Sequence, residues 1–267
     1  MYPEITPLIR DAIKRRYEIL PYIYSLSLES HLSASPPQRW VGWGYESDPE
    51  VWTTSLKQGD QQYWFGDVIL VGGVYKPGKD AAKIYLPRKC GKDFDYGYVN
   101  MNFPYNYLAS GQWVEICSEW KTNIPLLARV GGAIPVGKRI ATRTSGETDA
   151  ASIVLEEDNL RGVEIFPPRG DSHGTVFSST WLEDDGISIN PLISRFTISY
   201  SSTEENITVG FRQDGNDAFL PSWKDLYIMP QTGDERHVIS DDETHLKYMG
   251  KDDRDRNIYK LPKVFVN

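Results

Sequence analysis

The sequence predicts a mainly β fold, made of antiparallel sandwiches and entered through one or two amphipathic helices. Two observations carry this. Short apolar or alternating runs follow one another from about residue 64, with Gly, Pro, Asn and Asp between them. No ten-residue helical pattern intervenes, as a parallel α/β sheet would require.

The helices come first. Leu8, Ile9, Ile13, Tyr17, Leu20, Ile23, Tyr24, Leu26 and Leu28 recur at three- and four-residue steps, with Arg10, Lys14, Arg15 and Arg16 between them. Pro21 falls inside this pattern, where it either opens a second helix at its first turn or kinks a single long one. Residues 33–37 (SASPP) end the helix. The expected strands are 68–75 (VILVGGVY), 82–87 (AKIYLP), 112–116, 124–136 (IPLLARVGGAIPV), 152–155, 162–168, 175–182, 196–202, 206–211 and 225–230. A polar stretch at 138–151 interrupts them, and a domain seam is placed near residue 138. The mixed charges of 233–257 read as a solvated surface.

With 267 residues the chain is long enough for about two domains, each with its own core. Lys and Arg number 29 against 37 Asp and Glu, a net charge of −8, and no basic stripe gathers anywhere. Nucleic acid and anionic membranes are therefore not expected partners. No apolar run approaches the roughly 20 residues of a membrane-spanning helix, and the first residues lack the pattern of a signal peptide. Cys90 and Cys117 allow one disulfide or none and exclude structural zinc by count. The compartment stays open, with a lean towards a soluble, secreted protein.

Several motifs imitate chemistry. Gly170-Asp171-Ser172-His173-Gly174 matches the G-x-S-x-G nucleophile elbow, and Asp225 and His237 follow in the right order, which makes a serine hydrolase one alternative. The elbow requires a following helix, whereas a strand pattern follows Ser172. Residues 73–79 (GVYKPGK) imitate a phosphate-binding loop, but Asp80 stands where a hydroxyl should hold magnesium. The histidines at 31, 173, 237 and 245 are scattered, and Asp252, Asp253 and Asp255 lack the glycine and glutamate of a calcium loop. Eight Trp and 16 Tyr offer faces for sugar stacking, with the clusters Trp40-Val41-Gly42-Trp43 and Tyr63-Trp64-Phe65 as candidates. Asn206-Ile207-Thr208 is a glycosylation sequon if the chain is secreted.

Four segments, in order, resemble glycoside hydrolase family 31, the α-glucosidase and α-xylosidase family. Residues 16–39 (RYEILPYIYSLSLESHLSASPPQR) are similar to the helix before that family's last barrel strand. Residues 62–87 (QYWFGDVILVGGVYKPGKDAAKIYLP) resemble its Q-F-x-F-G-D-x-L-L-V-A-P-V-x-x-P-G and following strand. Residues 124–135 (IPLLARVGGAIP) and 181–188 (WLEDDGIS) resemble its I-P-L-F-V-R-A-G-x-I-I-P and Y-E-D-D-G-x-S. The departures are Gly72-Gly73 for Ala-Pro, Ala34 for Gly, and an insert around 95–107.

The resemblance implies the last helix and strand of a (β/α)₈ barrel at 1–65, a proximal β-sandwich at 66–138 and a distal one at 139–267. It implies a retaining α-glycosidase of α-glucosidase or α-xylosidase type, cleaving terminal O-glycosidic bonds of α-linked oligosaccharides in carbohydrate metabolism and needing no cofactor. The two catalytic aspartates of that reaction belong to the barrel body upstream. Trp223-Lys224-Asp225-Leu226 is only a superficial relative of the nucleophile motif W-x-D-M. No catalytic, metal or cofactor residue is therefore expected here, and the chain alone is expected to be inactive. Residues 39–45, near the end of the last barrel strand, are the candidates for closeness to a cleft. Alternatives are a non-enzymatic carbohydrate-binding β-sandwich and a catalytically dead regulatory paralogue.

Overall fold

The computed structural model describes residues 3–57, 62–73, 78–89, 95–118, 124–138, 160–214 and 219–261. Two helices open it, α1 (Thr6–Glu18) and α2 (Leu20–Ser33), jointed at Ile19. Pro21 sits in the first turn of α2, where its missing N–H breaks no helical hydrogen bond. Helix α2 stops at Ala34, whose φ of 59° and ψ of 14° are left-handed and whose N–H donates to Ser30 O. Glycine suits that position, since an alanine there presses its Cβ against the backbone.

The chain continues through β1 (Gln38–Arg39), a single turn α3 (Thr54–Lys57), β2 (Gln62–Phe65), β3 (Ile69–Gly72), β4 (Ala81–Leu86), β5 (Tyr98–Asn100), β6 (Tyr107–Leu108), β7 (Gln112–Cys117) and β8 (Leu126–Arg129). Six of these strands form one antiparallel sheet in the order β1-β2-β3-β8-β5-β6, while β4 pairs with β7. The run Ile69-Leu70-Val71 is apolar throughout because both faces of the large sheet are covered. Leu70 and Leu127 join Trp64, Ile84 and Leu86 in a core towards the β4–β7 pair. Ile69, Val71 and Ala128 join Tyr22 and Leu26 of α2 in another.

Two glycines mark close approaches. A Cβ on Gly66, at φ 63°, would lie 2.1 Å from the Tyr22 hydroxyl, which donates to Phe65 O at 2.8 Å and docks α2 on the sheet. A Cβ on Gly72 would lie 2.2 Å from Cδ1 of the buried Ile84. That isoleucine fills the space an alanine would use, which accounts for one departure from the family pattern.

The remaining strands are β9 (Ala133–Val136), β10 (Arg161–Ile165), β11 (Phe177–Glu183), β12 (Ser194–Ser202), β13 (Asn206–Asp214), β14 (Leu226–Pro230), β15 (His237–Ser240), β16 (Lys247–Lys251) and β17 (Asn257–Leu261). They build the sheets β16-β17-β14-β10-β9 and β11-β12-β13-β15, which close on Val163, Ile165, Phe196, Ile198, Trp223 and Ile228. The pairs β10–β14 and β13–β15 run parallel, a departure from the all-antiparallel expectation; each joins strands far apart in sequence, as parallel neighbours require. The other ladders are antiparallel. Strand β9 pairs with β10 across the polar stretch, which from 139 on, like the run 152–155, lies outside the described residues.

The insert around 95–107 spans the two halves. Tyr96 Oη donates to Ser172 O at 2.7 Å and Tyr107 Oη to Pro167 O at 2.8 Å. The charged stretch 233–257, expected as solvated surface, instead holds β15, β16 and the buried Arg256.

Arg256 belongs to a buried ion cluster that fastens α1. Arg15 donates to Glu18 at 2.8 Å and to Glu164 at 2.7 Å. Arg256 bonds Glu18, lies 3.0 Å from Glu164 and 2.6 Å from Asp252. Burial alone would raise both glutamate pKa values, but Arg15 and Arg256 reverse it, holding Glu18 below its ordinary range and Glu164 at about 2.

Arg256→Met leaves the two buried carboxylates of Glu18 and Glu164 to share Arg15 as their close cation, one charge short, and should cost about 3–5 kcal/mol in urea unfolding. Because the folded pKa of Glu164 is depressed, its stabilisation is complete above its ordinary 4.5 and is lost as pH falls towards 2, so the urea midpoint should drop across that window. In the Met variant the acid loss should begin at higher pH. Ala34→Gly should raise stability by about 1 kcal/mol, read as a higher Tm, by removing the left-handed Cβ clash.

Candidate functional site

Residues 39–45 form a turn whose shape follows from its glycines and tryptophans. Trp43 N–H donates to Trp40 O at 2.9 Å and Tyr45 N–H to Gly42 O at 2.8 Å. Below it, Tyr45 stacks on Trp64 with ring centroids 5.5 Å apart, and Trp64 Nε1 donates to Val41 O at 2.8 Å. Trp43 stays 43% exposed, with the Arg39 guanidinium 5.5 Å from its ring centre.

Arg39 sets the position of the turn. It donates to Pro36 O and Glu29, both at 2.9 Å, and to Asp67. Burial works against its charge, and Asp67 and Glu29 more than offset that, so its pKa lies above the ordinary arginine value. Glu29 and Asp67 are thus both engaged with one cation, while Glu46 accepts from the Gly44 N–H of the turn at 3.0 Å.

Beside the turn lies a cavity of about 230 Å³ lined by Trp43, Tyr45, Trp64, Asp67, Lys89 and Arg129. A second, of about 300 Å³, shares Asp67 and Arg129 and runs on to Tyr22 of α2 and Arg195 of β12. Aromatic faces with polar groups converging on them are what a polyhydroxylated ring requires of a binding surface.

The acidic triplet of 181–188 has three structural tasks. Glu183 accepts from Arg161 at 2.8 Å, from Trp181 Nε1 at 2.8 Å and from Trp223 Nε1 at 3.1 Å, all inside the second core. Asp184 accepts from Tyr24 of α2 at 2.5 Å, and burial together with this bond pushes the phenol up to about 12. Asp185 caps the turn through the N–H groups of Ile187 and Ser188.

The other motifs are not assembled into sites. Ser172 is buried, and its Oγ accepts from Ser202 N–H at 3.1 Å in a loop that leads into strand β11. Asp225 pairs with Lys260 at 2.7 Å, and His237 stacks edge-on against His245. Trp223 is a core residue. After residues 73–79, of which 74–77 lie outside the described residues, comes strand β4 rather than a helix. Asp252 accepts from Arg254 and Arg256 N–H groups and so orders its own turn. Among the described residues no three His, Cys, Asp or Glu side chains gather where they could hold a metal. Cys117 is an exposed free thiol, and Cys90 lies outside the described residues. No described helix is long and apolar enough to cross a membrane. Sequence reasoning missed Glu18, Glu164 and Arg256, because nothing local distinguishes a buried charge from a surface one.

Residues 34–134 match the model of the glycosyl hydrolase family 31 C-terminal domain. Over these residues the chain matches the C-terminal domain of that family. Neutral alpha-glucosidase C of Mus musculus is 33% identical over 147 residues, which are 55% of this chain and 15% of that protein. Neutral alpha-glucosidase AB of Homo sapiens is 26% identical over 234 residues, 87% of this chain and 22% of that protein. The chain therefore spans only about a fifth of the length of these relatives. The fold is that of the Flavobacterium johnsoniae GH31 dextranase FjDex31A, with a TM-score of 0.72 at 17% identity, covering 98% of this chain and 32% of that one. The turn at 39–45 and both cavity-lining residues Asp67 and Arg129 fall inside the matched family 31 segment.

Arg39→Met removes a buried cation, but its partners Glu29 and Asp67 keep 36% and 62% of their side-chain surface in water. No buried charge is stranded, so the expected cost in urea unfolding is about 1–2 kcal/mol, well below that of Arg256→Met.

Proposed function

We propose that this chain is the barrel-supporting C-terminal portion of a retaining α-glycoside hydrolase of α-glucosidase or α-xylosidase type. In this reading residues 1–65 complete a (β/α)₈ barrel, and the units 66–138 and 139–267 brace it. The parent enzyme hydrolyses terminal O-glycosidic bonds of an α-linked oligosaccharide. One observation carries the reading beyond the family match: Ile9, Ile13, Tyr24, Leu32, Trp43 and Trp52 are exposed, all on the opening helices and the segment after β1. Among the described residues six of the fifteen exposed large apolar side chains thus fall within the first 52 positions, a higher density than over the rest of the chain, and such a density suits a surface built to be covered.

Retention of configuration needs a nucleophilic and a proton-donating carboxylate about 5–5.5 Å apart, flanking the scissile bond. Here Glu29 and Asp67 hold Arg39, Glu183 holds Arg161 and two indoles, and Glu18 and Glu164 lie in the ion cluster. Each of these carboxylates has a structural partner, and W-x-D-M does not occur. The purified chain is therefore expected to release no p-nitrophenol from α-glucoside or α-xyloside substrates. Turnover that co-purifies with the chain through successive columns would sink the reading.

A second reading, a non-enzymatic carbohydrate-binding sandwich, draws on the cavity beside Trp43, Tyr45 and Trp64. Saturable quenching of tryptophan fluorescence by maltose, lost in Trp43→Ala and without turnover, would favour it.

A further inference from the structure

A cavity of about 630 Å³ opens beside the turn between β12 and β13, lined by Tyr107, Glu204, Asn206, Gln231, Asp234 and Arg236 among others. Its walls are tightly built. Arg236 spends its donors on Asp234 and on the carbonyls of Pro168, Gly170 and Thr203. Tyr107 Oη gives its one proton to Pro167 O, so it can only accept from Gln231 Nε2, and this fixes the orientation of the Gln231 amide. Gln231 is 7% exposed, and its Oε1 is buried with no hydrogen-bond partner among the described residues. A buried acceptor left unpaired is costly, and it marks the cavity as a place for a donor.

Asn206 stands on this wall as the first residue of β13 and opens the sequon Asn206-Ile207-Thr208. Strand alternation sends Ile207 and Val209 into the core and places Asn206 and Thr208 together on the opposite, half-exposed face. The Asn206 carboxamide makes no hydrogen bond to any described residue. The acceptor nitrogen and the hydroxyl that the modification reads are thus presented side by side at a turn.

We propose that Asn206 is N-glycosylated and that the first sugar of the glycan lies in this cavity, donating a hydroxyl or acetamide hydrogen to Gln231 Oε1. In the covalent step the Asn206 amide nitrogen loses a proton and bonds the anomeric carbon of an oligosaccharide carried on a polyprenyl diphosphate. The diphosphate leaves with the anomeric bond electrons. Among the described lining residues only Tyr107 and His237 carry aromatic rings, too little to hold a free saccharide, but a tethered sugar is present at an effective concentration in the millimolar range, where weak polar contacts suffice.

The test is to secrete the 267-residue chain from insect cells behind a cleavable signal peptide and map its peptides before and after treatment with peptide-N-glycosidase. Asn206 is expected to carry the glycan, to be converted to Asp on release, and to be unmodified in Thr208→Ala. A sugar seated about nine-tenths of the time exposes its linkage about a tenth of the time, so release from the native chain should be about tenfold slower than when the seat is removed. Gln231→Leu is expected to accelerate release, and Arg169→Ala, on the exposed rim, provides a second variant should Gln231→Leu not fold. An unmodified Asn206 in the folded, secreted chain overturns the proposal; so does release at the parental rate from the folded cavity variants.

Discussion

Arg256 holds a full charge where water does not reach, and Glu18 and Glu164, together with Asp252 of its own turn, make that tolerable. The two glutamates and Arg256 come from the end of the first helix, the middle of β10 and the turn before β17. Desolvating them has a large cost that is recovered only when all three are in register, so the cluster discriminates sharply between one packing of α1 and every other. A helix held by apolar contacts alone could slide or roll along the sheet. Here a roll of α1 would separate Arg15 and Glu18 from Glu164, and charged groups would remain buried without partners.

Helix α2 is held by different means, chosen from the side of the second sheet. Ser25 Oγ accepts from Leu182 N–H at 2.9 Å and Tyr24 donates to Asp184, both next to Glu183 in the core. The acidic triplet thus couples the buried Arg161–Glu183–indole cluster to the helix. On its other side α2 presses on Gly66, and the chain then turns into Arg39 and the aromatic turn. A line of specific contacts therefore runs from the second core, through α2, to the segment proposed to face the barrel.

Much of this was legible in the sequence and some of it was not, for physical reasons. The strands β3, β4, β7 and β10 to β14 announce themselves because burial demands apolar side chains at a period of two, or throughout where both faces are covered. Pro21 and Ala34 mark the ends of α2, although the sequence did not say whether Pro21 kinked or opened a helix. Strands β15 to β17 escaped because each is only four or five residues long and the segments before and between them are crowded with Asp, Glu, Lys and Arg, which mask apolar positions such as Val238 and Tyr259. Arg256 and Asp252 were read as solvated for the same reason. The aromatic turn was recognisable at Trp40 to Tyr45, whereas its dependence on Arg39, Glu29 and Asp67 was not, since those residues are brought together only by the pairing of β1 with β2.

The two arginine clusters differ in a way that fits their places in the molecule. Around Arg256 both glutamates are buried and Asp252 keeps only 15% of its side-chain surface in water, and the geometry admits one solution. Around Arg39 the guanidinium is buried but its carboxylates reach into water, so that Asp67 and Glu29 can rearrange at low cost when something approaches. A rigid cluster at the joint between helix and sheet, and an adaptable one beside Trp43, together make a frame that keeps its shape while its exposed edge adjusts. That division fits the supporting role proposed for this chain, in which the fixed part would meet the rest of the enzyme and the adaptable part would lie nearest its cleft.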